Sequence, residues 1–316
     1  MSKYQKTPLS YEAQIQLLQS RGLIIPDVNE AETSLMHLNY YRLSSYWHSY
    51  KENDDKFKQQ THFKKILNYY LFDKELRIFL LKIIETFEVS FRSNWAYNLA
   101  VTTCNAHAYL SEDIIDKNKK SLHTDTISLI KKTYKNSKEL FIEHYKKKYT
   151  DPNLPPIWAI CEIFSFGNLV SFYSSLNLKY QKNICKIYNF YDVEVFVSFL
   201  ENTRAIRNIC AHHGRLWNRS LTYCRIRTPK KPKLLLEQLN INNNHNIYNS
   251  IIFLCYIDKI INSKSDWAKQ FNLFILNSLN TNLITEDDLI KMGFPKQRSN
   301  IISKQVPEFQ EINEKT

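Results

Sequence analysis

From Phe63 to about Ala100 apolar residues recur almost all round a helical projection, with a thin polar stripe of Lys74, Lys82, Glu85, Glu88 and Arg92 on one side. An amphipathic surface helix keeps a broad polar face, so a run with so little polarity has to be enclosed by other elements. The chain must therefore build a bundle around this one helix. Period-two alternation is scarce in the rest of the sequence, which predicts an all-α fold.

Local signals divide the remainder. Ser10 caps a first helix that Gly22 ends, and Asp27 or Asn29 starts a second one running through "LNYYRLSSYWHSY" at 38–50. Residues 117–149 are lysine-rich with weaker periodicity, and "DPNLPP" at 151–156 breaks any helix there. A further helical run starts at Val193. The asparagine-rich "NINNNHNIYN" reads as a loop before one or two closing helices between Ile247 and Leu279. Thr285 and Asp288 fit a capping box, Gly293 and Pro295 stop a short helix, and the last twenty residues form a polar tail. The expected organisation is an N-terminal helical unit (1–60), a main helical domain (61–280) and a C-terminal helix with its tail (281–316).

Hydrophobic residues make up 43% of the 316 positions and aromatics 14%, enough apolar surface to offset the ordering entropy of a large core. Four glycines in the whole chain leave no G-x-G-x-x-G and no P-loop, which excludes nucleotide folds built on glycine loops. The six cysteines lack C-x-x-C spacing, so free buried thiols are expected and neither a metal nor a cofactor. The N-terminus has no apolar h-region, and the most apolar stretch, 78–87, contains Lys82 and Glu85. A cytoplasmic chain with no membrane association is expected. Lysine and arginine number 43 against 31 acidic residues, a net +12 that favours a polyanionic partner.

Basic groups concentrate in "RAIRNICAHHGRLWNR", Arg204 to Arg219. On a continuous helix Arg204, Arg207, Asn208, Ala211, His212 and Arg215 share an arc of roughly 140°, while Phe196, Phe199, Thr203, Ile206 and Cys210 face away from it. A solvated basic face is one reading. The other is a site: imidazole transfers protons both ways near neutral pH, guanidinium fits a phosphate oxygen pair, and Asn208 stands four residues before His212, where its amide can orient the ring. RNA cleavage suits such a set, because the ribose 2′-hydroxyl is the nucleophile and no metal is needed. Glu88 and Arg92 form an i,i+4 pair, and Glu85 or Glu88 can neutralise Arg207 or orient His212. A zinc site from Cys210, His212, His213 and Cys224 is disfavoured because adjacent helical histidines diverge by about 100°. The aromatics around Arg42 in "NYYRLSSYWHSY" either stack bases or fill the core.

"RNICAH" (207–212) resembles the Arg-Asn-x-x-x-His signature of HEPN ribonucleases. "NYYRLSSYW" (39–47), "FDKELR" (72–77), "PPIW" (155–158), "EIFSFGNL" (162–169) and "RNICAHHGRLWNR" (207–219) are similar, in order, to motifs of the abortive-infection Abi-2 group. The resemblance implies an all-α HEPN-like bundle, a part in antiviral defence, RNA as substrate, and kinship with toxins restrained by a small RNA. It makes Arg207 and His212 the catalytic pair with Asn208 as positioner. His213, Arg215, Asn218 and Arg219 match the pattern without an assigned step, and Arg204, Glu85 and Glu88 are supporting candidates. HEPN ribonucleases pair two copies across a dyad, so a homodimer is expected of a chain with one motif. Two functions stand: a metal-independent endoribonuclease of defence or toxin type, or a non-catalytic RNA-binding or regulatory module of the same fold.

Overall fold

Forty-one residues, Phe63–Thr103, form a single helix that spans about 60 Å at 1.5 Å per residue. The computed structural model describes residues 7–52 and 54–296; the polar tail expected at 297–316 lies outside them. Fourteen α-helices occur among the described residues: α1 Tyr11–Ser20, α2 Val28–Leu38, α3 Tyr40–Trp47, α4 Phe63–Thr103, α5 Lys120–Asn136, α6 Leu140–Lys148, α7 Ile157–Ile160, α8 Phe166–Ser175, α9 Leu178–Ile187, α10 Val193–Ala211, α11 Lys233–Leu236, α12 Ile247–Ile261, α13 Trp267–Asn280 and α14 Glu286–Lys291. No strand is present among them, only three isolated bridges (Ile24 to His62, Lys51 to Phe57, Ile115 to Leu176), and the fold is all-α.

The long helix is central, but it is not enclosed on every side as its apolar girth leads one to expect: Leu71, Ile78, Val89 and Tyr97 stay exposed along one face, beside Lys74, Lys82 and Glu85. Helices α3, α7, α8, α9, α10, α12 and α13 all pack on α4, and the buried side chains from Ile15 to Phe294 make one contiguous core. Helix α12 is buried on every side from Ile247 to Asp258. Aromatic contacts fix α10 against α4: the Phe87 and Phe199 rings lie 5.1 Å apart and the Phe91 and Phe196 rings 6.0 Å apart. Each such pair adds roughly 0.5–1.5 kcal/mol beyond its area burial. With Phe196, Phe199, Ile206 and Cys210 committed to the core, Arg204, Arg207 and Asn208 are left on the outer side.

The start signals hold at Ser10, Asp27 and Thr285, whose side chains accept from the N–H groups of Ala13, Glu30 and Asp288, the last as a full capping box. The second helix expected through "LNYYRLSSYWHSY" is instead two. Asn39 takes a left-handed backbone (φ 68°), its N–H closes α2 on Leu35, and its side chain accepts the Tyr41 N–H at 2.8 Å to start α3. One asparagine thus ends a helix and caps the next, the two tasks to which its short polar side chain is suited. The break redirects α3 onto α4 and carries Arg42 and Tyr46 toward the end of α10. No described helix is long and apolar enough to cross a membrane.

Candidate active site

Helix α10 starts at Asp192, whose carboxylate accepts the Glu194 N–H, and its regular turns stop at Ala211. His212 is the half-helical residue at the end (φ −91°, ψ 12°), and His213 adopts the left-handed conformation (φ 56°). The His213 N–H returns to the Cys210 carbonyl at 3.1 Å and the Gly214 N–H to Ile209 at 2.8 Å, the paired bonds that satisfy the last carbonyls of a helix. A Cβ on Gly214 would sit 3.3 Å from both the Ile209 carbonyl oxygen and its side chain, a tight fit that glycine avoids. This closure corrects one expectation. Arg215 does not continue the polar arc, because the chain turns off the helix three residues before it.

The turned-off segment is held from below. Asp73 of α4, fully buried, accepts the Leu216 N–H (3.1 Å), the Trp217 N–H (2.6 Å) and the Tyr46 hydroxyl (2.6 Å), and it pairs with Arg77 one turn along. Burial pushes the Asp73 carboxyl up, while Arg77, Tyr46 and the two backbone donors pull it back down. Arg77 also donates to the Gly214 carbonyl at 3.4 Å, and Arg42 of α3 donates to the His213 carbonyl at 2.6 Å. Trp217 is buried and stacks on Tyr69 with ring centroids 4.1 Å apart. Arg215 is half-buried over this cluster: desolvation lowers its pKa and the Asp73 carboxylate opposes that shift. Asn218 takes a left-handed backbone (φ 47°), and Arg219 donates to the Arg215 carbonyl at 3.2 Å. The carbonyls and amides following His212 are therefore fixed by partners from α3 and α4.

On the helix itself, Arg207 is 38% exposed and its Nε lies 3.5 Å from the Glu88 carboxylate, whose other oxygen accepts from Arg92 at 3.1 Å. Arg92 is buried and donates to the carbonyls of Cys161 and Phe164, the latter at 2.9 Å, so Glu88 is braced through Cys161 and the "EIFSFGNL" segment that follows it. Glu88 is thus the carboxylate that faces Arg207. Glu85 is exposed and makes no ion pair among the described residues. Arg204 pairs with Glu201 at 2.5 Å and lies against Gly167 in the first turn of α8. Asn208, His212 and His213 are exposed. The only bond between Asn208 and His212 runs through the backbone, from the His212 N–H to the Asn208 carbonyl at 3.0 Å, and their side chains share none.

Cys210 is buried and its thiol is pushed up to about 12, by burial first and by Asp73 second, which removes it from ligand or nucleophile chemistry. No group of three or more His, Cys, Asp or Glu side chains among the described residues is placed to hold a metal ion. Of the aromatics around Arg42, Tyr46 and Trp47 are buried, Tyr40 and Tyr50 partly so, and Tyr41 is exposed. The core reading fits four of them, and Tyr41 alone is free for stacking.

A family model described as Abi-like protein matches residues 33–218. The chain belongs to the Abi-like protein family. No curated protein and no solved structure matches it. The Abi-like span runs from α2 to Asn218 and so includes Arg42, Tyr46, Asp73, Arg77, Glu88, Arg92 and the whole of α10. Membership in the Abi-like family points to an abortive-infection role.

Sequence reasoning had missed Arg42, Asp73 and Arg77 as determinants of the site. A signal for two of them exists: Asp73 and Arg77 fall among Ile66, Tyr69, Leu80 and Ile84 on the helical projection of α4, in its most buried arc, at i,i+4 spacing. Charges set within an apolar arc must be paired or bonded inside the fold. Arg42 carries no such mark, since its partner is a carbonyl 171 residues away.

Proposed function

We propose that this Abi-like chain is a metal-independent endoribonuclease with a HEPN-type centre. The observation that carries the reading is the end of α10, where an exposed His212 and a half-exposed Arg207 stand on one helix bound to the core, with Arg207 held by Glu88 and the turn beyond His212 fixed by Arg42 and Asp73. In the proposed reaction a histidine takes the proton of the ribose 2′-hydroxyl, whose oxygen attacks the adjacent phosphorus. The P–O5′ bond breaks, a second acid protonates the leaving 5′ oxygen, and the products are a 2′,3′-cyclic phosphate and a 5′-hydroxyl. Arg207 stabilises the charge that gathers on the phosphoryl oxygens, and Glu88 prevents it from swinging away when the site is empty.

Arg207 and His212 are five residues apart, about 140° on the helix, so one copy offers the two edges of an open groove. A homodimer that apposes two α10 ends supplies the second acid, and RNA neutralises the basic faces brought together. A small RNA occupying the same surface is the form of restraint that suits a defence toxin. The test is direct: purified protein is incubated with mixed cellular RNA in excess EDTA. Cleavage at discrete positions is the expected result. RNA that is bound but left intact with or without metal would replace the nuclease by a non-catalytic RNA-binding module.

A further inference from the structure

We infer that α1, the end of α2 and the start of α3 form a nucleobase subsite reached from the end of α10, taking a base of the RNA strand that Arg42 leads to it. This rests on the ribonuclease reading and names where that strand goes. Arg42 spends one N–H on the His213 carbonyl and is otherwise exposed. A guanidinium has five donors, so those remaining are available to a phosphate one residue from His212. Its neighbour Tyr41 is 74% exposed, far more than the other aromatics of that helix, and its ring lies 6.3 Å from that of Tyr40 in an edge-to-face arrangement. Tyr40 in turn accepts from Arg21 at 3.3 Å. An exposed aromatic ring of this kind is a stacking platform for a base.

Beyond Tyr41 the surface dips into a groove of about 660 Å³ between α1 and the junction of α2 with α3, with Leu17, Leu35, Met36 and Tyr40 among its walls. That lies within the roughly 300–1,000 Å³ of ordinary small-ligand sites. The groove also holds Gln14, whose Nε2 donates to the Leu9 carbonyl while its Oε1 is buried with no hydrogen-bond partner. A buried acceptor left unmet is costly and calls for a donor. The exocyclic amino or ring N–H group of a base supplies one. Apolar walls, one unmet acceptor and the exposed Tyr41 ring, with the Arg42 guanidinium on the next residue of α3, together suit a nucleotide within a polyanionic strand better than an apolar peptide, and the net charge of +12 agrees with that partner.

The experiment uses the full chain with His212→Ala, so that it reads binding and not cleavage. A short oligouridylate carrying one 4-thiouridine is bound, photo-crosslinked and mapped, and its affinity is measured in the same background with Tyr41→Ala and Tyr41→Phe. Crosslinks in the Tyr41 segment, a roughly tenfold loss of affinity for Tyr41→Ala and none for Tyr41→Phe are expected, because the ring and not the hydroxyl holds the base. Unchanged affinity for Tyr41→Ala, crosslinks confined to other helices, or uridine monophosphate binding as tightly as the oligonucleotide would overturn the inference. Crosslinking at Tyr41 to a chain that never cuts RNA would refute the nuclease reading and leave the subsite in place.

Discussion

The His212→Ala and Arg207→Ala proteins are expected to fold as the wild type does and to cleave RNA at least about 100-fold more slowly, the lower end of what acid–base catalysis contributes. His212 is exposed at a helix end that is closed by backbone bonds, so its ring carries no packing. Substitutions at such positions stay within about 0.5 kcal/mol. Arg207 is partly exposed and its contact with Glu88 is a long 3.5 Å, so its loss costs less than about 1 kcal/mol after solvent screening. Thermal melts alongside cleavage rates separate the two effects. A mixed dimer of the two variants keeps one Arg207 and one His212 on different copies, so mixing the inactive proteins restores part of the activity only where that single composite pair suffices for the chemistry. Residual activity near the wild-type level in either single variant would move the chemistry elsewhere.

Asp73→Ala has the largest expected effect on stability, about 3–5 kcal/mol, the range for leaving one member of a buried ion pair alone. The deletion strands the Arg77 charge, the Tyr46 hydroxyl and the N–H groups of Leu216 and Trp217 in the core at once. Denaturant melts of Asp73→Ala and Asp73→Asn check this: alanine lowers the midpoint strongly, and asparagine, which keeps the shape and part of the bonding, falls in between. Equal stability of Asp73→Ala and wild type would mean that the cluster does not anchor the segment after α10.

The central place of α4 was legible because its apolar residues recur at every turn, although one of its faces, with Ile78, Lys82, Glu85, Val89 and Tyr97, stays exposed; α10 was legible because its two faces differ so sharply. The end of α10 was not. A regular projection extends the basic arc to Arg215, but the left-handed turn at His213 is set by bonds to Arg42 and Asp73, partners distant in sequence that no local period encodes. The same limit hid the division at Asn39, where the sequence runs on helically and one asparagine side chain decides the break. Glu88 was legible as a candidate since it shares a helix face with Arg92; that it and not Glu85 meets Arg207 depends on how α4 and α10 cross.

The central claim is that the α10 end cleaves RNA by in-line attack of the 2′-hydroxyl without a metal. The chemistry of the fragment ends tests it most directly. RNA digested in excess EDTA is treated with an enzyme that removes 2′,3′-cyclic phosphates, and ligation of adaptors to the 3′ ends is compared before and after. The account predicts fragments with 5′-hydroxyls whose 3′ ends accept an adaptor only after that treatment, and none from His212→Ala. Fragments with free 3′-hydroxyls, formed only when a divalent metal is supplied, would contradict it.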